Sequence, residues 1–260
     1  MSPRHAHDYH VHSNYSDGEI LWKMVRAAEA AGLSGVGIAD HCNVSAVDRQ
    51  RRRAAAMGFT LDITYERRRE AIDLVGDHVD VAVFDAVEMD YEPDDEARIA
   101  AFLDEAGFEY AIGSVHALDG ANVHSARHFE GMDEAERRGH VDRYFEKLAA
   151  LVDSELFEIA AHVDLIERNA ALRGLATREQ YDRVAEAFTT SRTVPEVNAG
   201  RVDREYGEFH PTPEFLDALR ARDVAFVVGS DAHAPDELER RTPLLDERFE
   251  ALEVEPVELV

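Results

Sequence analysis

At 260 residues the chain is close to the roughly 250 typical of one closed α/β barrel, and with 45% of its residues apolar it can bury a substantial interior, which excludes general disorder. Against 28 Lys and Arg stand 54 Asp and Glu, a net charge of −26, so a polyanionic nucleic acid is not an expected partner. One cysteine, Cys42, excludes an internal disulfide, and no apolar run approaches the ~20 residues that a membrane helix needs. The N-terminus has no apolar stretch of the secretory kind, so the expectation is one cytoplasmic domain over residues 1–260. Only Lys23 and Lys147 are lysines, and an acidic, lysine-poor surface keeps a protein hydrated in concentrated salt. A halophilic chain of this kind is expected to unfold as salt falls toward the millimolar range.

Short β-branched runs alternate with amphipathic patterns from end to end, which predicts parallel βαβ units. The first strand is expected at Asp8–His12, followed by a helix over Glu19–Ala31 with Ile20, Leu21, Met24, Val25 and Ala28 on one face and Ser16 with Glu19 as a capping box. Gly35–Asp40 is the second strand, and Arg51–Arg53 reads as a solvated helix face. A helix over Asp62–Val75 leads to a third strand at Val79–Met89, and one over Asp95–Ala106 to a fourth at Phe108–Val115. Gly32 and Gly107 stand where helices end. Leu118–Glu130 lacks periodicity and is expected to be a mobile flap. Helices over Glu134–Val152, Thr177–Phe188 and Pro213–Arg222 then precede strands at Phe157–Val163, Val194–Asn198 and Val224–Ser230.

Most of these seven strands finish in residues of metal-binding type: His10 and His12, Asp40-His41, Glu88, His116, His162, and Asp231 with His233. Asp17 follows closely on the first pair. Each has an ordinary reading alone, such as a packed His pair, a turn Asp at position 17 or a helix-capping Asp40. Glu88 and Asp231-Ala-His233 are the exceptions: a carboxylate in so apolar a strand is costly unless paired or coordinated, and the last pair repeats the spacing of the first with mixed ligands. In a parallel sheet or barrel all carboxyl ends meet at one face, so one metal cluster accounts for His10, His12, Asp17, His41, Glu88, His116, His162, Asp231 and His233 together. Imidazoles and carboxylates without thiolates suit zinc, manganese or iron, and nine side chains suit two or three ions bridged by Glu88. By contrast, His5 and His7 precede the centre of the first strand and read as flank, while His124 and His128 read as loop residues. Arg168 and Arg201 follow strand ends and have the planar donor fork that matches phosphate.

The ordered blocks DYHVHSNYSDG, GIADHC, AVEMDY, IGSVHAL, AAHVDLI, EVNAGR and VGSDAHA resemble the motif series of the PHP (polymerase and histidinol phosphatase) superfamily over Asp8–His233. The resemblance implies an α/β fold, a single distorted (β/α)7 TIM-like barrel with the metal site at the C-terminal ends of the strands. It implies one metal on His10, His12, Glu88 and Asp231, a second on Glu88, His116 and His162, and a third on Asp17, His41 and His233. The blocks HVDLIERN and EVNAGR are similar to those of stand-alone histidinol-phosphate phosphatases, although the asparagine stretch ending in Arg is here reduced to Asn198–Arg201.

The implied activity is hydrolysis of a small phosphomonoester, histidinol phosphate above all, in histidine biosynthesis. A hydroxide held between cations, whose binding lowers the pKa of water from about 15.7 to about 7, would attack phosphorus. Glu88, Asp231 and His233 are the catalytic candidates, with the general acid left open, and Arg168, Arg201 and Asn198 are the substrate-binding candidates. Two alternatives stay open. A nucleotide phosphatase or exonuclease would need a cationic, aromatic-lined track, of which the sequence gives no sign. A non-catalytic, metal-stabilised accessory domain would not turn over an aryl phosphate. Oligomeric state is not legible.

Overall fold

The computed structural model describes residues 5–259; Met1–Arg4 and Val260 lie outside the described residues. Its strands are β1 (His7–Val11), β2 (Gly35–Cys42), β3 (Ala82–Asp90), β4 (Tyr110–Ser114), a small hairpin of β5 (Ala117–Leu118) and β6 (Ala121–Asn122), then β7 (Ile159–Ala160), β8 (Val194–Asn198) and β9 (Val227–Gly229). The helices are α1 (Leu21–Ala31), α2 (Asp48–Ala56), α3 (Leu61–Gly76), α4 (Glu96–Ala106), α5 (Ala126–Phe129), α6 (Glu134–Asp153), α7 (Arg178–Thr190), α8 (Pro213–Arg220) and α9 (Pro235–Leu252).

All strands but the hairpin form one parallel sheet in the order β1-β2-β3-β4-β7-β8-β9. The sheet curls nearly shut. His12 N donates to Ala232 O at 2.9 Å and Asp231 N to His10 O at 2.8 Å, which ties the end of the last strand to the end of the first. The result is the seven-stranded TIM-like barrel that the alternating pattern and the family blocks anticipate. Tyr9, Ala39, Ala86, Tyr110, Ile112, Ile159 and Val227 fill its interior, while the outer faces of the strands pack under the helices. The large Tyr110 fits inside because Gly37 faces it without a side chain: a Cβ there would fall 1.5 Å from Tyr110 Oη. That hydroxyl donates to Tyr9 O at 2.6 Å. The C-terminal tail completes the N-terminal end of the barrel, with Val257 N donating to Phe226 O and Leu259 N to Tyr9 Oη.

Several local expectations change. Helix α1 starts at Leu21 without the Ser16–Glu19 box: Asn14 Oδ1 accepts from Leu21 N, and the Ser16 hydroxyl is committed to Asp40. Asp40 itself caps no helix. The strand expected to run to Val163 ends at Ala160, because His162 leaves the extended conformation at φ 27° and the chain enters a 3-10 turn over Leu165–Arg168. The supposed flap is built rather than shapeless: it carries β5, β6 and α5, and it is nailed to the core by the buried side chains of Leu118, Val123 and Phe129. Helix α9 was not anticipated, since Pro243 and a dense charge run interrupt its pattern, yet Leu238, Leu245, Phe249 and Leu252 form a buried helical stripe. Gly32 and Gly107 do end α1 and α4 in the left-handed conformation. Among the described residues no helix is long and apolar enough to cross a membrane.

Candidate metal centre

Because β1, β2, β3 and β4 are parallel and in register, their last residues arrive side by side: His41 on β2 lies directly opposite Glu88 on β3. In β1 one extra residue is accommodated between Asp8 and Val11, a bulge of the kind that re-aims side chains near active sites. His10 and His12 then both reach the centre, with their Nε2 atoms 3.1 Å apart.

Glu88 is the hub. Its Oε2 is 2.6 Å from His41 Nδ1, 3.4 Å from His10 Nε2 and 3.6 Å from His12 Nε2, and its Oε1 is 3.1 Å from His162 Nε2 and 3.4 Å from His116 Nε2. Asp231 Oδ1 lies 3.5 Å from His12 Nε2 and 3.7 Å from His233 Nδ1, and Asp17 Oδ1 lies 3.3 Å from His233 Nε2 and 3.7 Å from His41 Nε2. All nine expected positions therefore converge. Three sets have ligand atoms within 4.8 Å of one another: His10, His12 and Asp231; His41, Glu88 and His116; and His12, Asp17, His41 and His233. These sets divide the residues differently from the family-based grouping, since His41 joins Glu88 as well as Asp17 and His12 belongs to two sets. His162 stands outside all three and meets the centre through Glu88.

Three of the outer ring nitrogens have partners of their own, while the buried Nδ1 of His162 has none among the described residues. His10 Nδ1 meets Glu196 Oε2 at 2.9 Å, His116 Nδ1 meets Asp90 Oδ1 at 2.6 Å, and His233 Nδ1 meets the Asp231 carbonyl at 2.9 Å. Each such donation leaves an Nε2 lone pair facing inward, the arrangement found in metal-ligating histidines. Burial disfavours charge throughout the cluster. At Glu88 the imidazoles of His41, His116 and His10 outweigh it and hold the carboxyl well below the usual range, while Glu88 and Asp17 hold His41 up at about 9. At His12 burial, followed by His233 and His41, takes the imidazole down to about 4, and burial takes His162 to about 4 despite Glu88.

The scaffold is fitted closely to these groups. Asp40, fully buried, accepts from Ser13 N, Ser13 Oγ, Ser16 Oγ and Arg68 Nη1, fastening the loop that delivers Asp17. Asp231 sits at φ 52°, and a Cβ on Gly200 would fall 2.1 Å from its Oδ2. The Arg168 side chain is largely enclosed, donating from Nε to His210 Nε2 at 2.8 Å and from Nη2 to Asn198 Oδ1 at 3.0 Å and Asp231 Oδ2 at 3.3 Å. Asn198 is also buried, and its amide is spent on Arg168, Glu196 and Gly200 N. Arg201 is exposed at the mouth.

The centre opens into a cavity of about 830 Å³. Asp17, His41, His116, His162, Asp231, His233, Arg168 and Arg201 line it, together with an apolar shelf of Val47, Ala54, Met57 and Phe59 and an acidic wall of Glu92, Asp94 and Asp119. His124 faces it as well, whereas His128 packs on Phe129 and His140. Sequence reasoning missed Glu196, Asp90 and Asp164, and it read His210 and Tyr206 only as candidates to line the substrate. Two of the carboxylates carried a readable signal: Glu196 and Asp90 each stand two residues from a recognised position, at Asn198 and Glu88, and so fall on the same face of a strand.

A profile of the PHP domain matches residues 8–200. A protein of Deinococcus radiodurans designated a histidinol-phosphatase is 24% identical over 152 residues, and the match spans 58% of each chain. Among solved structures, the histidinol phosphate phosphatase of Lactococcus lactis in complex with zinc, L-histidinol and phosphate superposes with a TM-score of 0.76 at 19% identity, covering 97% of this chain and 95% of that one. A Listeria monocytogenes protein, also designated a histidinol phosphatase, gives 0.74 at 17% identity, covering 92% and 99%. At such identities the structural likeness is one of fold. The profile match covers well over half of the sequence, and the chain belongs to the PHP domain family.

Proposed function

We propose that this chain is a divalent-metal-dependent phosphomonoesterase that hydrolyses histidinol phosphate to histidinol and phosphate. The observation that carries the reading is the convergence of six imidazoles and three carboxylates on one cavity that also holds Arg168 and Arg201. The donor set fits cations better than it fits itself. Five imidazoles crowd one carboxylate, and buried Glu88 Oε2, although ringed by three of them, has no hydrogen-bond partner of acceptable geometry. His10, His12 and Asp231 would hold one ion, Glu88, His41, His116 and His162 a second, and Asp17 and His233 with a shared imidazole a third. Two or three zinc, manganese or iron ions are the finer proposal. Bound there, they would neutralise phosphoryl oxygens and acidify a water molecule.

The chain's own residues do the rest. Arg168 offers a pre-oriented guanidinium to the phosphoryl group, Arg201 adds charge at the mouth, and Asn198 supports Arg168 rather than touching substrate. Asp231 stays a carboxylate, because contacts to His12, His10, His233 and Arg168 outweigh its burial, so it is a ligand or base rather than an acid. Where only two ions bind, His233, half-buried at the cavity edge, is left free to move the leaving-group proton. Of the acidic wall, Glu92 is paired with Lys147 and Asp119 with Arg143, which leaves Asp94 to favour a substrate that carries positive charge beyond its phosphate, as the ammonium of histidinol phosphate does, over a polyanionic strand. The zinc, L-histidinol and phosphate bound to the Lactococcus relative support the same choice.

The test is phosphate release from histidinol phosphate, nucleotides, sugar phosphates and an aryl diester, after loading with Zn²⁺, Mn²⁺ or Fe²⁺, in molar potassium chloride. We expect the highest kcat/KM for histidinol phosphate. Preference for nucleotides or the diester would overturn the substrate, and no turnover with any metal would overturn the enzyme.

A further inference from the structure

Behind Arg168 lies a buried relay that none of the metal-centre residues requires. Asp164 and His210 are both fully buried. Asp164 Oδ1 accepts a hydrogen bond from His210 Nδ1 at 2.5 Å, and Asp164 Oδ2 accepts from Thr212 N at 2.6 Å. With Nδ1 carrying its proton, His210 Nε2 presents a lone pair, and Arg168 Nε donates to it. The imidazole cannot swing away. Tyr206 stacks on it with ring centroids 5.0 Å apart and 11° between planes, and the His210 backbone exchanges two hydrogen bonds with Asn198.

The donor count of Arg168 shows what this achieves. A guanidinium has five N–H bonds. Nε spends one on His210, and Nη2 spends two on Asn198 and Asp231. Nη1 has no partner among the described residues, and Arg168 lines the cavity. We propose that Asp164 and His210 are positioning residues that lock Arg168 from behind, so that the two N–H bonds of Nη1 are held ready for a tetrahedral oxyanion. This deepens the phosphomonoesterase reading and rests on it for the identity of the anion.

Asp164→Asn is the sharpest probe, because Thr212 N dictates its outcome. The amide oxygen must turn to that N–H, which leaves the NH2 facing His210 Nδ1. His210 must then carry its proton on Nε2, donor against donor with Arg168 Nε. His210→Phe removes the acceptor and keeps the stack on Tyr206, and His210→Gln offers a carbonyl in its place.

The measurement is the affinity of the zinc-loaded full chain for inorganic phosphate by calorimetry, with zinc content and melting temperature recorded for each variant. We expect Asp164→Asn and His210→Phe to weaken phosphate about tenfold to a hundredfold, the range for a hydrogen bond to a charged group, at unchanged zinc content. His210→Gln should recover most of the loss. In turnover the defect should fall on KM more than on kcat. Phosphate affinity within twofold of wild type in Asp164→Asn, or His210→Gln as weak as His210→Phe, or losses that track lost zinc, would each overturn the positioning role. Should His210→Phe fail to fold, Asp164→Asn decides alone. A wild-type chain that binds phosphate but hydrolyses no phosphomonoester sinks the enzymatic reading while these affinities still judge the relay; one that binds no phosphate sinks both.

Discussion

The two ends of the barrel are made by the same strands and are chemically opposite. At the N-terminal end Tyr9, Phe84 and Tyr110 pack ring on ring, Ile159 and Val227 fill the gaps, and Val257 and Leu259 of the C-terminal tail pack against them. At the other end stand imidazoles in face contact, His12 with His233 at 4.2 Å and with His41 at 4.4 Å, around a buried carboxylate. Strand β1 shows how little pattern alone decides. His5-Ala-His7 and His10-Val-His12 are the same motif, yet His5 pairs with Asp246 and His7 packs on Tyr9 and Phe84, while the second pair faces Glu88. Position along a parallel strand, not the motif, sets the role: the lower end stabilises and the upper end does chemistry.

Removing the hub breaks this contrast most severely. Glu88→Gln keeps the shape of the side chain but removes the charge that five imidazoles surround, so turnover should fall by about a thousandfold or more and metal content should drop. The far-ultraviolet circular dichroism should stay that of a folded barrel, because the lower core is untouched. Retained activity in this variant is incompatible with Glu88 as the hub of the metal centre. A sharper comparison uses one glycine at each end. Gly200→Ala pushes a methyl group into Asp231 and should cost about a hundredfold in kcat/KM with little change in melting temperature, as expected for a misplacement of about 1 Å. Gly37→Ala pushes the same group into Tyr110 and should cost about 1–3 kcal/mol of stability, read by urea denaturation, with kcat unchanged in whatever protein remains folded. If the two variants exchange phenotypes, the division between the ends is wrong.

Next in size is the outer layer of the metal centre. Glu196 receives His10 Nδ1, His162 N and the Asn198 amide, so Glu196→Gln should weaken metal binding about tenfold to a hundredfold, measured by competition with a chelator. An unchanged metal affinity would reduce Glu196 to a packing residue.

The upper end was legible because its inner layer announces itself. Histidines and acids at the ends of apolar runs are rare by chance, and parallel topology converts sequence distance into proximity, so His10 through His233 were found without coordinates. Their supports were not. Glu196, Asp90 and His210 act only through a neighbour brought in from another strand or loop, and a sequence shows a residue's type but not which partner its second nitrogen or oxygen meets. Asp40 illustrates the point: local pattern suggested a helix cap, and tertiary contact made it the anchor of Ser13 and Ser16 instead. The lower end was legible only as apolar strands. That Gly37 exists to admit Tyr110, or that residues near 257 close the barrel, depends on register and on a tail with no periodic signal.

The smallest expected effect concerns pH and the metal-free protein. Burial opposes charge on His41, yet Glu88 and Asp17 lift its pKa from 6.5 to about 9. His10 is raised by Glu196 and Glu88, again against its burial. A raised imidazole pKa means that the folded state holds its proton more tightly than the unfolded state does, so this stabilisation is complete below about 6.5 and is lost as pH rises through about 9. His12 and His162, lowered by burial to about 4, act in the other window: their contribution is present above 6.5 and is lost as pH falls toward 4. Chelator-treated protein should therefore melt highest near pH 6.5 and lose a few degrees by pH 9. Metal-loaded protein should not follow that decline, because fewer protons compete with cations for the same nitrogens as pH rises. The gap between the two melting temperatures should widen from pH 6.5 to 9, and His41→Gln should flatten it. A gap that narrows over that range would mean that His41 is not among the groups from which protons and cations compete.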